Sequence, residues 1–289
     1  MLSHLILVLI EASSIVDIVN NDPTSTWVAV DYHPSIMSLE KLKRRVNPHV
    51  TFPRRKRFTV PDEDIKNALP EEFDSRQRWP VEFAGIRDQG DCGSCWAFAI
   101  TTVVADRYAI KGSPRGHLSA QDLVSCDTND YGCGGSEMYP AWDWMVSDGA
   151  ATEECIPYVS GGGRVPLCPS KCKNGSDIVR HRARSIYFPD TELKIMQEIY
   201  EFGPVQANMY TFQDFSTYKS GIYEHKTGMW LGGHAVVILG WGVENNVPFW
   251  LCQNSWGTAW GENGYFRIVR GKGMCDIEEF VISGRVVIY

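Results

Sequence analysis

The chain has 289 residues and a mass of 32.6 kDa, with 44% hydrophobic and 22% charged residues, which excludes a disulfide miniprotein and a disordered, collagen-like or low-complexity chain. A formal charge of −7 argues against a nucleic-acid-binding surface. No stretch after the first residues approaches the roughly 18 apolar residues of a membrane span.

Met1 to Ile10 is mostly apolar and is followed by Glu11-Ala12-Ser13-Ser14, small residues suited to cleavage, so residues 1–13 are expected to be a secretory signal peptide. Residues 14–68 contain no Cys and carry two basic clusters, Lys41-Leu42-Lys43-Arg44-Arg45 and Arg54-Arg55-Lys56-Arg57, with Pro48, Pro53 and Pro61 between and after them. This stretch reads as a short helix over Ser38–Val46 leading into an extended linker. From Leu69 the texture is that of a packed domain. The run CWAFAITTVVA, Cys95 to Ala105, is apolar nearly all round, as in a helix at the centre of a domain, and Asp106-Arg107 then brings polarity. Ser94 or Asp91 in the preceding Gly-rich loop is available as a cap, which puts Cys95 at a helix N-terminus. A second helix is expected over Thr191–Phe202, capped by Asp190 or Thr191 and stopped by Gly203-Pro204. Beyond it, His234–Trp241, Phe249–Asn254, Tyr265–Val269 and Arg285–Tyr289 read as strands.

Nine cysteines all lie at or beyond position 92, seven of them between 92 and 172, and this crowding points to disulfides formed in an oxidising compartment. The odd total leaves at least one free thiol. A zinc site is the competing reading, but no pair of His has the H-x₃₋₅-H spacing expected beside such cysteines. Cys92-Gly93-Ser94-Cys95 alone would also fit a redox motif, although Trp96 follows the motif here instead of preceding it.

A thiol that cleaves peptide bonds must ionise near neutral pH, and both a helix N-terminus and a protonated imidazole favour the thiolate. Cys95 has the first. His234, on an apolar run after two glycines, is the candidate for the second. Asn254 can orient that ring by accepting from its other nitrogen without adding charge, Trp256 can shield the bond, and Gln89 can place its side-chain NH₂ beside the Cys95 N–H as an oxyanion hole.

QGDCGSCW at Gln89 to Trp96, with His234 and Asn254 downstream, resembles the papain-like cysteine peptidases. LPEEFDSRQRWP at Leu69, GPV at Gly203, YKSGIY at Tyr218, GGHAVVILGWGVEN at Gly232 and NSWGTAWGENGYFRI at Asn254 are most similar to the cathepsin B-like branch. The resemblance implies an α+β, two-lobed papain-like fold, with a helical left lobe (about 69–180), an antiparallel β right lobe (about 181–289) and the active-site cleft between them. It implies catalysis by Cys95, His234, Asn254 and Gln89, no cofactor or metal, and disulfides Cys92–Cys133, Cys126–Cys168 and Cys155–Cys172. Cys252 then reads as a core thiol and Cys275 as free, with a bond between the two left open. Gly135, Ser136, Met138, Gly233, Ala235, Trp256 and Phe280 would contact substrate, Ser136 replacing the family's usual Gly and Phe280 standing where a pocket-floor Glu is found. Residues 14–68 would be an inhibitory prosegment lying in the cleft in reverse direction and removed near Ala68-Leu69. The twelve residues between Cys155 and Cys168 contain no His, so the paired His of an occluding loop are lacking, and the glycines there suggest a short flexible link. The expected protein is a monomeric endopeptidase of the secretory pathway, held in an acidic lysosome-like vesicle or secreted. It would act on peptides and proteins with apolar side chains at P2, and cystatin-type proteins would inhibit it. The rival is a secreted papain-fold binding protein without catalysis.

Overall fold

A computed structural model describes residues 14–48 and 69–288. The signal segment 1–13, the linker 49–68 with its second basic cluster, and the Ala68 side of the expected cleavage site lie outside the described residues.

The helical core is built on α4, Cys95–Ile110, whose residues are buried from Cys95 to Ala109 because the sequence is apolar on every face. Ser94 occupies the N-cap position, but its hydroxyl bonds Tyr158 at 2.8 Å and caps nothing, so the expected side-chain cap is absent. Asp106 and Arg107 do not mark an exposed end either. Asp106 accepts from the Ala84 N–H at 2.6 Å, and Arg107 donates to Glu198 at 2.9 Å and to the carbonyls of Gly203, Pro204 and Gly284. Arg107 is thus ion-paired, whereas burial pushes the hydrogen-bonded Asp106 carboxyl up to about 8 and favours its neutral form. Helices α5 (Ala120–Cys126) and α6 (Met138–Ser147) supply Leu123, Trp142 and Met145 to the same core.

The second core lies against a nine-stranded sheet ordered β1-β5-β8-β7-β6-β4-β9-β3, with β2 (Phe73–Asp74, followed by the short α3, Ser75–Arg78) added to β6. The strands are β3 (Ser185–Tyr187), β4 (Val205–Phe212), β5 (Tyr218–Tyr223), β6 (Trp230–Glu244), β7 (Val247–Gln253), β8 (Tyr265–Val269) and β9 (Val281–Arg285), antiparallel throughout except for the parallel β5/β8 pair. The last strand expected, Arg285–Tyr289, is displaced: pairing runs over Val281–Arg285, where Gly284 lets the strand approach the Trp142 ring, a Cβ there falling 2.5 Å from it. Helix α7, Glu192–Phe202, is capped by Thr191 and buries Ile195, Met196 and Ile199 against the sheet. It ends at Gly203, whose φ of 98° suits glycine.

Among the described residues before Leu69 are α1 (Ile15–Asn20), β1 (Trp27–Ala29) and α2 (Leu39–Arg45), the last capped by the Ser38 hydroxyl. They are part of the packed body. Strand β1 pairs with β5 through Trp27 and Gly221, and the Trp27 ring lies 5.1 Å from that of Tyr223. Val19, Trp27, Met37, Leu42 and Val46 share one core with Phe215, Tyr218, Trp256 and Trp260.

The disulfides are Cys92–Cys133, Cys126–Cys168 and Cys155–Cys172, while Cys95, Cys252 and Cys275 are free thiols. The glycine stretch expected to be a loose link is anchored: Gln121 holds both the backbone and the hydroxyl of buried Ser160, and the Gly161 carbonyl accepts from the Asp91 N–H at 2.6 Å.

Candidate active site

Cys95 is the first residue of α4, and the loop that delivers it is fixed on two sides. The Cys92–Cys133 disulfide ties it to the turn leading to Gly135, and Gly90 sits so close to Gly161 that a Cβ would fall 2.3 Å from its carbonyl oxygen. On β6, His234 stands opposite Met209 of β4, and its Nε2 lies 2.8 Å from Asn254 Oδ1, just past the end of β7. A carboxamide oxygen only accepts, so Nε2 carries the proton and Nδ1 is left as the lone-pair nitrogen. The Trp256 ring, 4.7 Å from the imidazole and itself buried, covers that bond.

The expected low thiol pKa is not what this structure shows. Burial pushes Cys95 up to about 11, and the backbone N–H groups of Ala235, Trp96 and Cys95 itself offset only part of that. Burial also pulls His234 down to about 4, against the Asn254 hydrogen bond and with help from the positive charge of Arg45. His234 Nδ1 is buried without a hydrogen-bond partner. Thiol and imidazole are therefore both neutral, and the chain lying over them contributes to that burial.

That chain is the end of α2 and the residues after it. Gln89 Nε2 donates to the Arg45 carbonyl at 3.0 Å and to the Cys92 carbonyl at 2.7 Å, while its Oε1 accepts from Ser255 Oγ at 2.7 Å. Asn47 exchanges two backbone hydrogen bonds with Gly233, of 2.9 and 2.8 Å. The Asn47 side chain fills the space that a Cβ on Gly135 would need, approaching it to 2.6 Å, and Gly135 has a φ of 101°. Arg45 pairs with Asp88 at 3.2 Å and Arg44 with Asp91 at 2.8 Å. What remains between the lobes is a cavity of about 10 Å³, no more than one water, bordered by Cys95, Gly135, Ser136, Asn208, Gly233, His234 and Ala235.

The structure thus brings Cys95, His234, Asn254, Gln89, Trp256, Gly135, Ser136, Gly233 and Ala235 together. Ser136 is buried and turns its hydroxyl to the Glu137 carbonyl at 2.6 Å. Met138 and Phe280 are half-buried and stand outside the residual cavity, although the Phe280 carbonyl accepts from the Asn208 N–H at 2.9 Å. Glu278, three residues after Cys275, is committed elsewhere, to the Trp250 indole and the Gly273 N–H. Sequence reasoning missed Asn208, a buried polar residue two positions after Gln206 on β4. It also placed Arg44 and Arg45 on the expected helix without giving them a partner in the cleft, although Leu42 and Arg45, three residues apart and both buried, share one face of that helix. Among the described residues no group of three His, Cys, Asp or Glu is placed to hold a metal, and no helix is long and apolar enough to cross a membrane.

A helix-borne thiol, an imidazole steered by a carboxamide and an amide donor beside them, set between a helical and a β core, define a thiol peptidase in its covered form. The family described as papain family cysteine protease matches residues 69–285, and the chain belongs to it. It is 37% identical to the cathepsin B-like cysteine proteinase 4 of Caenorhabditis elegans, over 91% of this chain and 89% of that protein. The cathepsin B-like cysteine proteinase of Schistosoma japonicum is 36% identical over 95% and 91%. Among solved structures, procathepsin B S9 from Trypanosoma congolense aligns with a TM-score of 0.84 and 32% identity, covering 96% of this chain and 99% of that one. The protein is a cathepsin B-like cysteine peptidase.

Proposed function

We propose that the chain is made as a zymogen, with residues 1–13 a signal peptide, 14–68 an inhibitory prosegment and 69–289 the peptidase domain, and that the matured domain is an endopeptidase. The observation that carries this reading is the Arg45 carbonyl accepting from Gln89 Nε2, because it seats a backbone carbonyl where a scissile one would sit. Trp256, on the leaving-group side by family resemblance, lies beside Asp88 and hence beside Arg45, whereas Asn47 lies toward Gly135 and Gly233. The segment therefore runs from the leaving-group side to the acyl side. A substrate runs the other way, so the plug fills the site without presenting its bonds for attack.

Once the segment leaves, water reaches Cys95 and His234 and the burial penalty on both charged forms falls, so the proton can pass from sulfur to Nδ1. The thiolate attacks the scissile carbonyl, Gln89 Nε2–H and the Cys95 N–H hold the oxyanion, and the Nδ1 proton goes to the departing amine. Water then gives a proton to His234 and its oxygen to the thioester, which expels the thiolate and frees the acid. The stretch 156–167 has no His to bind a terminal carboxylate, which supports internal cleavage over release of C-terminal dipeptides and a primed side open to cystatin-type inhibitors. An aromatic side chain at Phe280 in place of a carboxylate favours Val or Leu over Arg at P2. We place the enzyme in the secretory pathway, vesicular or secreted, as a monomer. A peptidyl vinyl sulfone tests the reading: it should label Cys95 stoichiometrically after residues 14–68 are removed, and label neither the intact chain nor Cys95→Ala. Equal labelling of intact and processed protein would overturn the zymogen assignment.

A further inference from the structure

Two carboxylates flank the amide that holds the plug. Asp88 precedes Gln89 and pairs through a backbone bridge with Trp256, while Asp91 follows it and is tied by its N–H to Gly161. The group seated against Asp88 is a guanidinium delivered by the segment in the cleft: Arg45 is 1% exposed, its Nη2 reaches Asp88 Oδ1 at 3.2 Å, and its Nε and Nη1 are buried without partners. Burial pulls that guanidinium below its ordinary value, and the charges of Asp88 and Asp91 oppose the pull. The Arg44 side chain reaches Asp91 from outside.

The register says which substrate residue this place belongs to. The Arg45 carbonyl stands in the Gln89 hydrogen bond, and the chain continues from it toward Asn47 and Gly233. The Arg45 Cα is therefore on the Trp256 side of that carbonyl, the position taken in a forward-running substrate by the residue that follows the scissile bond. We propose that Asp88 is the acidic wall of a subsite that recognises a basic side chain, Arg or Lys, at P1′, with Asp91 adding a second carboxylate at its rim. The inference rests on the proposed roles of Gln89 and Trp256. In the zymogen the prosegment satisfies this subsite with its own Arg45; after processing, half-exposed Asp88 is left for the substrate.

Internally quenched peptides identical except for Arg, citrulline or Glu at P1′ test this on the processed enzyme, because citrulline keeps the shape of Arg and removes the charge. An Arg-to-citrulline ratio in kcat/KM of about three- to tenfold is expected at low ionic strength, shrinking toward one in 1 M salt, with Glu cut slowest. Asp88→Asn should bring the ratio close to one, and Asp91→Asn should lower it partway. The ratio is read within each variant, so a general loss of activity does not enter it. A wild-type ratio of one or less overturns the proposal even if Asp88→Asn does not fold, and so does an unchanged ratio in that variant. Failure to cut any of the three peptides would instead sink the peptidase reading beneath it.

Discussion

The covered site makes a quantitative prediction about the Cys95 thiol before and after removal of residues 14–68. In the covered chain its pKa stands at about 11, so only about one molecule in a thousand carries the thiolate at pH 8 and about one in 10⁵ at pH 6. After removal, the helix N-terminus and a His234 imidazolium should bring the thiol into the range of roughly 3.5 to 7.5. Even at the top of that range about 3% is ionised at pH 6, a gain of some three powers of ten. The weaker nucleophilicity of a low-pKa thiolate takes back one to two of them, leaving about a hundredfold. The measurement is the iodoacetamide rate at Cys95 across pH 5–10, followed by peptide mass spectrometry. For the intact chain the rate should climb about tenfold per pH unit through pH 9; for the processed enzyme it should reach a plateau below pH 8. Steric shielding by the segment scales the first curve without bending it. An intact chain whose rate levels off near pH 7 would refute the claim that burial holds the proton on sulfur.

Asn254→Ala removes the acceptor for His234 Nε2–H and should lower kcat about tenfold or more with little change in KM, measured on a peptide with Leu at P2. Glu198→Gln strips the buried Arg107 and Arg285 of their shared carboxylate and should cost about 3–5 kcal/mol, read from urea unfolding. Burial raises the Glu198 pKa, but the Arg285 hydrogen bond and the charge of Arg107 outweigh it and leave the folded value below 4.5. The carboxylate's contribution is therefore fully present above that value and is lost only as the pH falls through the depressed folded pKa, so wild-type stability should hold at pH 5 and drop below about 4. Peptides with Val or Leu at P2 should be cut faster than those with Arg, and Asn208→Ala should widen the gap; a preference for Arg would remove Phe280 from the pocket.

The candidate catalytic groups were legible because the chemistry proposed for them binds them to short, rigid local patterns: a thiol opening an apolar helix, a His after two glycines, an Asn at a strand end. Helix α7 was legible to within a residue through Thr191 and Gly203. Strand β9 was not. Its run VISGR contains Ser and Gly whose smallness serves Glu198 and Trp142, while the more apolar Val286-Val287-Ile288 beyond it pairs with no strand. The burial of Asp106 and Arg107 was not legible, because their partners come from afar, from Ala84, Glu198 and Gly284. The thiol pKa is legible from neither residue type nor spacing, since it depends on whether Asn47 lies across the cleft.

The pairing of β1 with β5 has a consequence for the life history of the molecule. Val19, Trp27, Ala29, Met37, Leu42 and Val46 complete a core whose other buried members lie beyond residue 69, and β1 closes an edge that β5 otherwise presents to solvent. A chain lacking residues 14–68 would have to assemble Phe215, Tyr218 and Tyr223 around a missing side and with an open strand edge. If residues 14–68 are removed as proposed, maturation would be a step in one direction only: the processed enzyme would persist as long as its unfolding is slow, and a molecule unfolded by acid or heat would have to refold without the residues that once closed this core.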